Sequence, residues 1–264
     1  MKKALFLILA ACFMPISIIQ AQDGDYYDGS EETILQACEN TLKTWNDAIN
    51  ARDEEQLSST YWGIVKYYQS YYTIEQVNDS HARFFKKNDY YHQYCDNLEL
   101  QFYNNCQALL TFDKHVQTAK GQPYKTYSAY IHFLYDYQEG AVIISESDVT
   151  TDTNLEKRYT LLEVDNDTPL DAIFCEANVG KKIAVDYWEL VELGEKEDGP
   201  LANLILTSGF ARSYIDGTIT KDYNGQKGTY SCGGFAVGGE CQAPVIFTYN
   251  PATGEMHCIG GEEE

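Results

Sequence analysis

The chain has 264 residues, of which 44% are apolar and 14% aromatic, enough for one large folded domain or two ordinary ones. Its 40 acidic residues outnumber its 19 Lys and Arg residues and give a formal net charge of -21. The composition excludes wholesale disorder. The charge argues against a protein that binds nucleic acid or an anionic membrane, so we expect neither as a partner.

The N-terminal segment has the pattern of a secretory signal peptide. Two lysines precede an apolar run over residues 4–19, and the small residue Ala21 follows it. We expect cleavage after Ala21, which removes residues 1–21 and leaves residues 22–29 as a flexible acidic leader. The apolar run is too short for a transmembrane span. The protein is therefore expected in the periplasm or outside the cell, and a lipoprotein anchored through Cys12 is the less favoured alternative.

Export permits disulfides, and seven of the eight cysteines follow Cys12. We predict a disulfide between Cys232 and Cys241, because the glycine-rich segment between them is typical of a tight reversal. A second disulfide, Cys175 with Cys258, would follow, and the odd count leaves at least one thiol unpaired. The cysteines lack C-x-x-C spacing and the histidines lack an i, i+4 pair, so we expect no metal site and no cofactor.

Two helices are predicted in the first half. Ser30 is suited to cap a helix whose apolar residues recur at steps of three and four. These residues are Ile34, Cys38, Leu42, Trp45 and Ile49. Thr73 and Gln76 form the pattern of a capping box at the start of a second helix. His81 lies on the apolar side of that helix, where we expect a core histidine rather than a ligand.

The hydrophobic period then changes to two, which predicts an antiparallel sheet. The alternating stretches are residues 98–103, 108–112, 127–135 and 141–147. The segment 136–140 is typical of a hairpin connection. Helices followed by a curved antiparallel sheet give an α+β arrangement.

Several segments in this order resemble one known superfamily. They are Trp45–Asp53 with Leu57 and Tyr61, Phe84–Tyr91, Tyr127–Ile131 and Ile143–Asp148. Over residues about 30–151 the chain resembles the nuclear transport factor 2-like (polyketide-cyclase-like) superfamily. The resemblance implies a cone-shaped domain with a pocket between its sheet and its long helix. The sequence from Tyr61 to Val65 departs from the acidic pattern of many members, which argues against acid–base chemistry.

After Asp152 the sequence changes to short strand-like segments divided by glycine-rich or acidic turns. These segments are residues 159–164, 182–193, 204–207, 218–223, 227–232 and 245–249. We predict a second, all-β, disulfide-bonded domain over residues 155–261, built as a small sandwich or barrel. Residues 262–264 are expected to form a solvated acidic tail.

Asp113, His115 and His132 are the candidate catalytic residues. Asp113 and His115 share one face of a predicted strand, and His132 lies on the next strand. If the three converge, Asp113 could orient His115 as a base. The alternative is that they are exposed or hydrogen-bonded strand residues without a catalytic role.

Tyrosine is abundant, with 22 residues. Because tyrosine combines an apolar ring with a hydroxyl, a tyrosine-lined groove or pocket could bind a glycan, a peptide or a flat small molecule. The predicted ligand-binding residues are Tyr67, Tyr68, Tyr71, Tyr72 and Tyr130. Ordinary half-buried packing is the alternative.

Together these patterns favour an exported, non-catalytic binding or interaction protein whose partner is a small molecule, a glycan or a protein. One alternative is a small lyase, isomerase or hydrolase that uses the pocket of the first domain. The other is a structural module that forms a homodimer through its sheet.

Overall fold

The computed structural model describes residues 30–104, 106–136, 140–164, 168–184, 212–222, 227–238 and 241–260. The predicted signal peptide, leader and acidic tail lie outside these ranges. So do the predicted strand at 204–207 and residues 185–193 of the predicted strand at 182–193. Within them, no helix has the length and apolar character needed to cross a membrane. The chain is α+β, with helices and a curved mixed sheet followed by a second sheet.

The helices are α1 (Glu31–Ala51), α2 (Glu54–Ser58), α3 (Ile74–Lys87), α4 (Val149–Glu156) and α5 (Leu170–Ile173). Ser30 caps α1 by accepting a hydrogen bond from the Thr33 backbone N–H. The capping box of Thr73 and Gln76 at the start of α3 is confirmed. All five apolar residues predicted for α1 are buried, because together they form the stripe that packs on the sheet.

The first sheet contains β1 (Tyr61–Tyr67), β2 (Ser70–Thr73), β3 (His92–Asn104), β4 (Gln107–Gln117), β5 (Lys125–Asp136) and β6 (Gly140–Asp148). Its order is β2-β1-β6-β5-β4-β3, and only β1 and β6 pair in parallel. The predicted hairpin between β5 and β6 is confirmed. We call the face covered by α1 the inner face of this sheet and the opposite face its outer face.

The second sheet contains β7 (Leu161–Leu162), β8 (Lys182–Ala184), β9 (Arg212–Thr218), β10 (Thr220–Lys221), β11 (Tyr230–Gly238), β12 (Cys241–Asn250) and β13 (Glu255–Ile259). Its order is β13-β12-β11-β9-β8-β7, and β10 also pairs with β11. The second sheet has a hydrophobic core of its own, in which Ile173, Phe174 and Phe247 are fully buried.

The outer face of the first sheet packs against the second sheet at β1 and β2. Ile64 and Tyr71 form an apolar cluster with Phe235 and Ile246. The Tyr71 ring lies so close to Gly233 that a Cβ atom added there would meet its Cγ at 1.8 Å. The absence of a side chain at Gly233 therefore allows the two sheets to approach.

A cluster of three charged side chains also joins the first sheet to the second. Asp216 on β9 pairs with the Lys66 ammonium group on β1 and, at 3.0 Å, with that of Lys182 on β8. Burial by itself would raise the Asp216 pKa, but the two ammonium groups outweigh it and hold that pKa below its usual value. Asp216 therefore stays charged and links the sheets electrostatically.

A disulfide also links the sheets, and it is not one of the predicted pairs. Cys106, just before β4, is bonded to Cys241 at the start of β12, with a Cα–Cα distance of 6.1 Å. The predicted Cys232–Cys241 bond is wrong because Cys232 lies opposite Phe247, whereas Cys241 lies opposite Gly238 at the end of the hairpin. The bond indicates a compartment outside the reducing cytoplasm.

The predicted Cys175–Cys258 bond is also wrong. Both thiols are free, as is that of Cys232. Cys258 on β13 lies opposite Phe247 on β12. Cys175 follows α5 and donates a weak hydrogen bond to the Ala172 carbonyl at 3.6 Å. Strand register and the position of α5 therefore give these cysteines other neighbours.

Candidate functional site

The predicted pair of Asp113 and His115 is not formed. Both side chains lie on the outer face, but Asp113 accepts a hydrogen bond from Asn97 at 2.8 Å. His115 instead contacts Asp96 at 2.8 Å through Nε2 and Thr126 at 2.9 Å through Nδ1. Asp113 therefore does not orient His115. The two are hydrogen-bonded strand residues, which is the alternative that the sequence left open.

His132 lies in a different part of the outer face. It is six residues along β5 from Thr126, the residue opposite His115, a separation of about 20 Å in an extended strand. Burial and the charge of Lys66 lower the pKa of His132 to about 4. Its Nε2 has no hydrogen-bond partner among the described residues. His132 is thus a neutral, half-buried histidine and does not join His115.

The five tyrosines predicted to bind a ligand do not share one surface. Tyr67 and Tyr72 pack on the inner apolar core, and Tyr68 occupies the turn beside it. Tyr71 is buried between the sheets. Tyr130 belongs to the outer face, where its hydroxyl donates to Asp152 at 2.9 Å and accepts from Gln69 at 3.1 Å. Tyr67 and Tyr68 therefore remain candidates at a common inner site, and Tyr72 packs on the core beside the Tyr67 ring.

A β-bulge in β6 creates that inner site. His132 lies opposite Ser145, but the next residue of β5, Phe133, lies opposite Ile143, so Ile144 is an extra residue. Ile143 packs on the inner core and Ile144 on the outer side. After the bulge the alternation is shifted by one residue, which directs Glu146 inward.

Glu146 is only 4% exposed. Its Oε2 accepts a hydrogen bond from the Tyr61 hydroxyl at 2.6 Å and another from the Trp45 indole N–H at 2.9 Å. Burial raises the pKa of Glu146, although the Tyr61 bond, the nearby Lys114 charge and the Trp45 bond all lower it in part. No described residue donates to Oε1, which leaves that oxygen available to accept.

Lys114 is the second charged group on the inner face and is 7% exposed. It stands in one cross-strand row with Cys95 on β3 and Tyr127 on β5. Its ammonium group donates to the Tyr68 hydroxyl at 3.2 Å and lies 5.6 Å from the centre of that ring. An ammonium group has three donors, so Lys114 retains capacity for further hydrogen bonds.

Tyr68 reaches Lys114 from a strained turn. Tyr68 and Gln69 join β1 to β2 with φ values of 47° and 67°, a left-handed conformation that residues with a Cβ rarely adopt. The Tyr68 backbone N–H donates to the Glu146 carbonyl at 3.0 Å, and the Gln69 side chain donates to Tyr130. The fold therefore holds Tyr68 against an unfavourable backbone conformation, a feature often associated with functional sites.

His81 on α3 completes the site. It is 5% exposed, and its Nε2 lies 3.3 Å from the Tyr67 hydroxyl. Burial lowers its pKa to about 4, so the imidazole is neutral at physiological pH. His81 therefore packs in the core, as the sequence predicted. We call Trp45, Tyr61, Tyr67, Tyr68, His81, Lys114 and Glu146 the inner cluster.

The inner cluster offers an acceptor at Glu146, donors at Lys114, and tyrosine hydroxyls that serve as either. Such groups can bind a small polar molecule, and a buried carboxylate beside a tyrosine can also take part in acid–base chemistry. Within the described part of the chain, no group of three or more His, Cys, Asp and Glu side chains could hold a metal ion.

Two other surface features lie away from the inner cluster. A depression of about 440 Å³ between α2 and α3 is lined by Glu54, Glu55, Ser58, Ser59 and Asn78. On the outer face, Tyr94 stacks on His115 with a centroid distance of 4.5 Å and meets Tyr124 at 5.1 Å. Tyr94 and Tyr124 are 40% and 39% exposed, which makes this outer aromatic patch accessible to a partner.

Comparison with known proteins gives likenesses of fold. No family model and no curated protein matches the chain. A proposed dehydratase of the nuclear transport factor 2-like family from Streptomyces avermitilis is similar at 15% identity and a TM-score of 0.38, over 44% of this chain and 95% of that one. A similar protein from Shewanella oneidensis, nuclear transport factor 2-like and of unknown function, has 13% identity and a TM-score of 0.35, over 43% and 97%.

A proposed scytalone dehydratase from Novosphingobium aromaticivorans is similar at 8% identity and a TM-score of 0.37, over 43% of this chain and 81% of that one. Two of these three structures bear the name of the superfamily that residues about 30–151 resemble, and each of the three matches covers less than half of this chain.

Lys114 and Glu146 are the charged site residues that sequence reasoning missed. Leu110, Phe112 and Val116 alternate along β4, and that spacing places Lys114, rather than Asp113 or His115, on the apolar face. The signal for Lys114 was therefore present in the sequence. Glu146 had no such signal, because its direction depends on the bulge.

Proposed function

We propose that this chain is an exported binding protein that holds a small molecule at the inner cluster and does not transform it. The observation that carries the proposal is a pair of buried charged residues, Lys114 and Glu146, that are not hydrogen-bonded to each other. Lys114 donates to Tyr68, while Glu146 accepts from Tyr61 and Trp45. Burying a charge is costly unless it is fully hydrogen-bonded. A ligand that donates to Glu146 and accepts from Lys114 would complete both sets of hydrogen bonds.

The strained turn at Tyr68 and Gln69 supports this assignment. A glycine at either position would relieve the strain, but glycine at 68 would remove the ring and hydroxyl that contact Lys114. The conformation therefore makes sense if the Tyr68 side chain is needed at the inner cluster. Tyr91, half-buried and influenced by the Lys114 charge, supplies a further ring there.

Export is part of the proposal. It is supported by the signal-peptide pattern of residues 1–21 and by the disulfide between Cys106 and Cys241, which persists only in an oxidising compartment. The partner is a small molecule such as a short glycan or an aromatic compound.

An enzyme is the second candidate, and Glu146 favours it. A buried carboxylate with a raised pKa, 2.6 Å from the Tyr61 hydroxyl, has the chemistry of a general base beside a hydrogen-bond donor. It replaces the predicted catalytic set of Asp113, His115 and His132. We rank the enzymatic function second because the Glu146 carboxylate already accepts two hydrogen bonds. These bonds fix its position and lower its reactivity as a base.

Native mass spectrometry of protein recovered from the exported fraction tests the proposal. The expected result is a chain that begins at Gln22 and carries a non-covalent ligand. Tyr68→Phe and Glu146→Gln should each reduce the bound fraction about tenfold, since each removes a hydrogen-bonding group or charge. The matched control is Tyr124→Phe, which removes a tyrosine hydroxyl from the outer aromatic patch and should leave the ligand bound.

Loss of ligand in Tyr124→Phe but not in Tyr68→Phe would place binding on the outer face and contradict the assignment. The same spectra separate binder from enzyme once the ligand is identified. A binder returns that compound unchanged after prolonged incubation with excess protein. Conversion by the wild type and not by Glu146→Gln would establish the enzymatic candidate instead.

A further inference from the structure

Lys114 carries information about the class of ligand. The residue is only 7% exposed, and the one hydrogen bond that its ammonium group makes to a described residue goes to the neutral hydroxyl of Tyr68. The carboxylate of Glu146 is engaged by Tyr61 and Trp45. Among the described residues, Lys114 therefore has no carboxylate bonded to it, an arrangement that buried lysines avoid.

We infer that the ligand of the inner cluster is a small carboxylic acid whose carboxylate binds the Lys114 ammonium group beside the Tyr68 hydroxyl. The inference rests on the proposed function, because it names the chemistry of a molecule bound at that same site. A carboxylate accepts from both an ammonium group and a hydroxyl, and such charge-assisted bonds are the strong ones.

The surrounding charges favour a singly charged acid over a phosphate. Glu146 and Asp148 are buried on the same strand, at 4% and 6% exposure, so a dianion would meet two carboxylates with one cation to balance it. The protein as a whole carries a net charge of -21, which further disfavours polyanions.

The neighbours of Lys114 favour an acid with an aromatic or apolar body. Cys95 and Tyr127 lie directly opposite Lys114 on the two adjacent strands, and both are half-buried. Tyr91 packs against the same core. These groups supply apolar contact around a single cation, which is the usual composition of a binding site for a small organic acid.

Matched pairs of acids and amides test the inference. Benzoate with benzamide, 4-hydroxybenzoate with 4-hydroxybenzamide, and phenylacetate with phenylacetamide differ in charge and little in shape. Dissociation constants are measured by ligand-observed NMR at pH 7.5, with inorganic phosphate as a competitor. At least one acid is expected to bind about tenfold or more tightly than its amide, and phosphate should not displace it.

Variants assign the preference to Lys114. Lys114→Met keeps the length and apolar character of the stem and should bring the acid and the amide of a pair to similar affinity. Lys114→Arg should retain the preference for the acid. Lys125→Met is the matched control, because it removes an exposed lysine at the start of β5 and should change neither affinity.

Equal binding of acid and amide to the wild type would overturn the inference and leave the proposed binding function intact. A preference that survives in Lys114→Met would likewise overturn it. Displacement of the acid by phosphate would indicate that the Lys114 ammonium group binds a phosphorylated ligand. This result would contradict the inference of a carboxylic acid. If none of the acids bound the wild type, the inference would be overturned, whereas the proposed function would still be decided by the ligand retained in the native mass spectra.

Thermal unfolding of the ligand-free variants verifies that they are folded. Lys114→Met is expected to unfold at a lower temperature than the wild type, because it removes a contact of the strained turn at Tyr68 and the cation near the buried carboxylate of Glu146. The affinities are therefore compared below that unfolding temperature.

Discussion

Breaking the disulfide between Cys106 and Cys241 is expected to cause a large loss of stability. The two cysteines are 135 residues apart in sequence. The loop-entropy relation gives about 5 kcal/mol at 25 °C for a cross-link that closes a loop of this length. The cross-link restricts the unfolded chain and also ties β4 to β12 in the folded protein. Replacing both cysteines by alanine should therefore lower the free energy of unfolding by several kcal/mol.

Guanidinium unfolding followed by tryptophan fluorescence measures this effect. The midpoint of the wild type should fall when a reductant is added, and Cys106→Ala with Cys241→Ala should unfold at that lower midpoint with or without reductant. Cys175→Ser is the matched control, because its half-buried thiol is free. It should keep the full response to reductant.

Two results would refute the reasoning about the disulfide. One is an unchanged midpoint in the reduced wild type, which would mean that the cross-link contributes nothing to stability. The other is loss of the response to reductant in Cys175→Ser or in a Cys232→Ala variant, which would restore the pairs predicted from sequence.

Three further predictions concern the core and the contact between the sheets. The pKa of His81 falls from 6.5 to about 4 on folding, so its neutral form stabilises the protein fully above pH 6.5, and that contribution is lost as the pH falls toward 4. Between pH 7 and pH 4.5 the loss is about 2 kcal/mol, and His81→Gln should show a correspondingly smaller acid destabilisation in urea unfolding; an identical pH profile would contradict this. Gly233→Ala should lower the free energy of unfolding by about 2 kcal/mol or more, because the new Cβ would clash with the Tyr71 ring. Adding Tyr71→Val should recover part of that loss in thermal unfolding. If the effects of the two substitutions were simply additive, the clash would not be the cause. Asp216→Asn should cost about 3 kcal/mol at neutral pH by leaving the Lys66 ammonium group without its carboxylate, and the cost should shrink as the pH falls through the lowered Asp216 pKa; a cost independent of pH would show that charge is not the cause.

Helices α1 and α3 were predictable because their signals are local. The side chain of Ser30 and the pair Thr73 and Gln76 satisfy backbone N–H groups within three residues of themselves. The apolar spacing along α1 likewise needs no knowledge of the rest of the chain. It fixes which side of the helix is buried before any partner is specified.

The hairpin of β1 and β2 was not predictable in the same way. Two-residue hairpin turns of this conformation usually contain Asn-Gly or a similar pair, but here Tyr68 and Gln69 occupy it. Contacts from Glu146, Lys114 and Tyr130 hold the turn in place, and all three lie on other strands. Tertiary contacts therefore override the local preference of the sequence.

By itself the sequence determined the α+β class, the helix caps, the buried stripe of α1 and, through the alternation on β4, the inward position of Lys114. Only the tertiary structure decided that Glu146 points inward and that Cys106 pairs with Cys241. The physical reason is that a strand pattern states which residues share a face but not where the alternation is interrupted. A bulge, and the pairing of cysteines 135 residues apart, follow from strand register, which packing between distant segments sets.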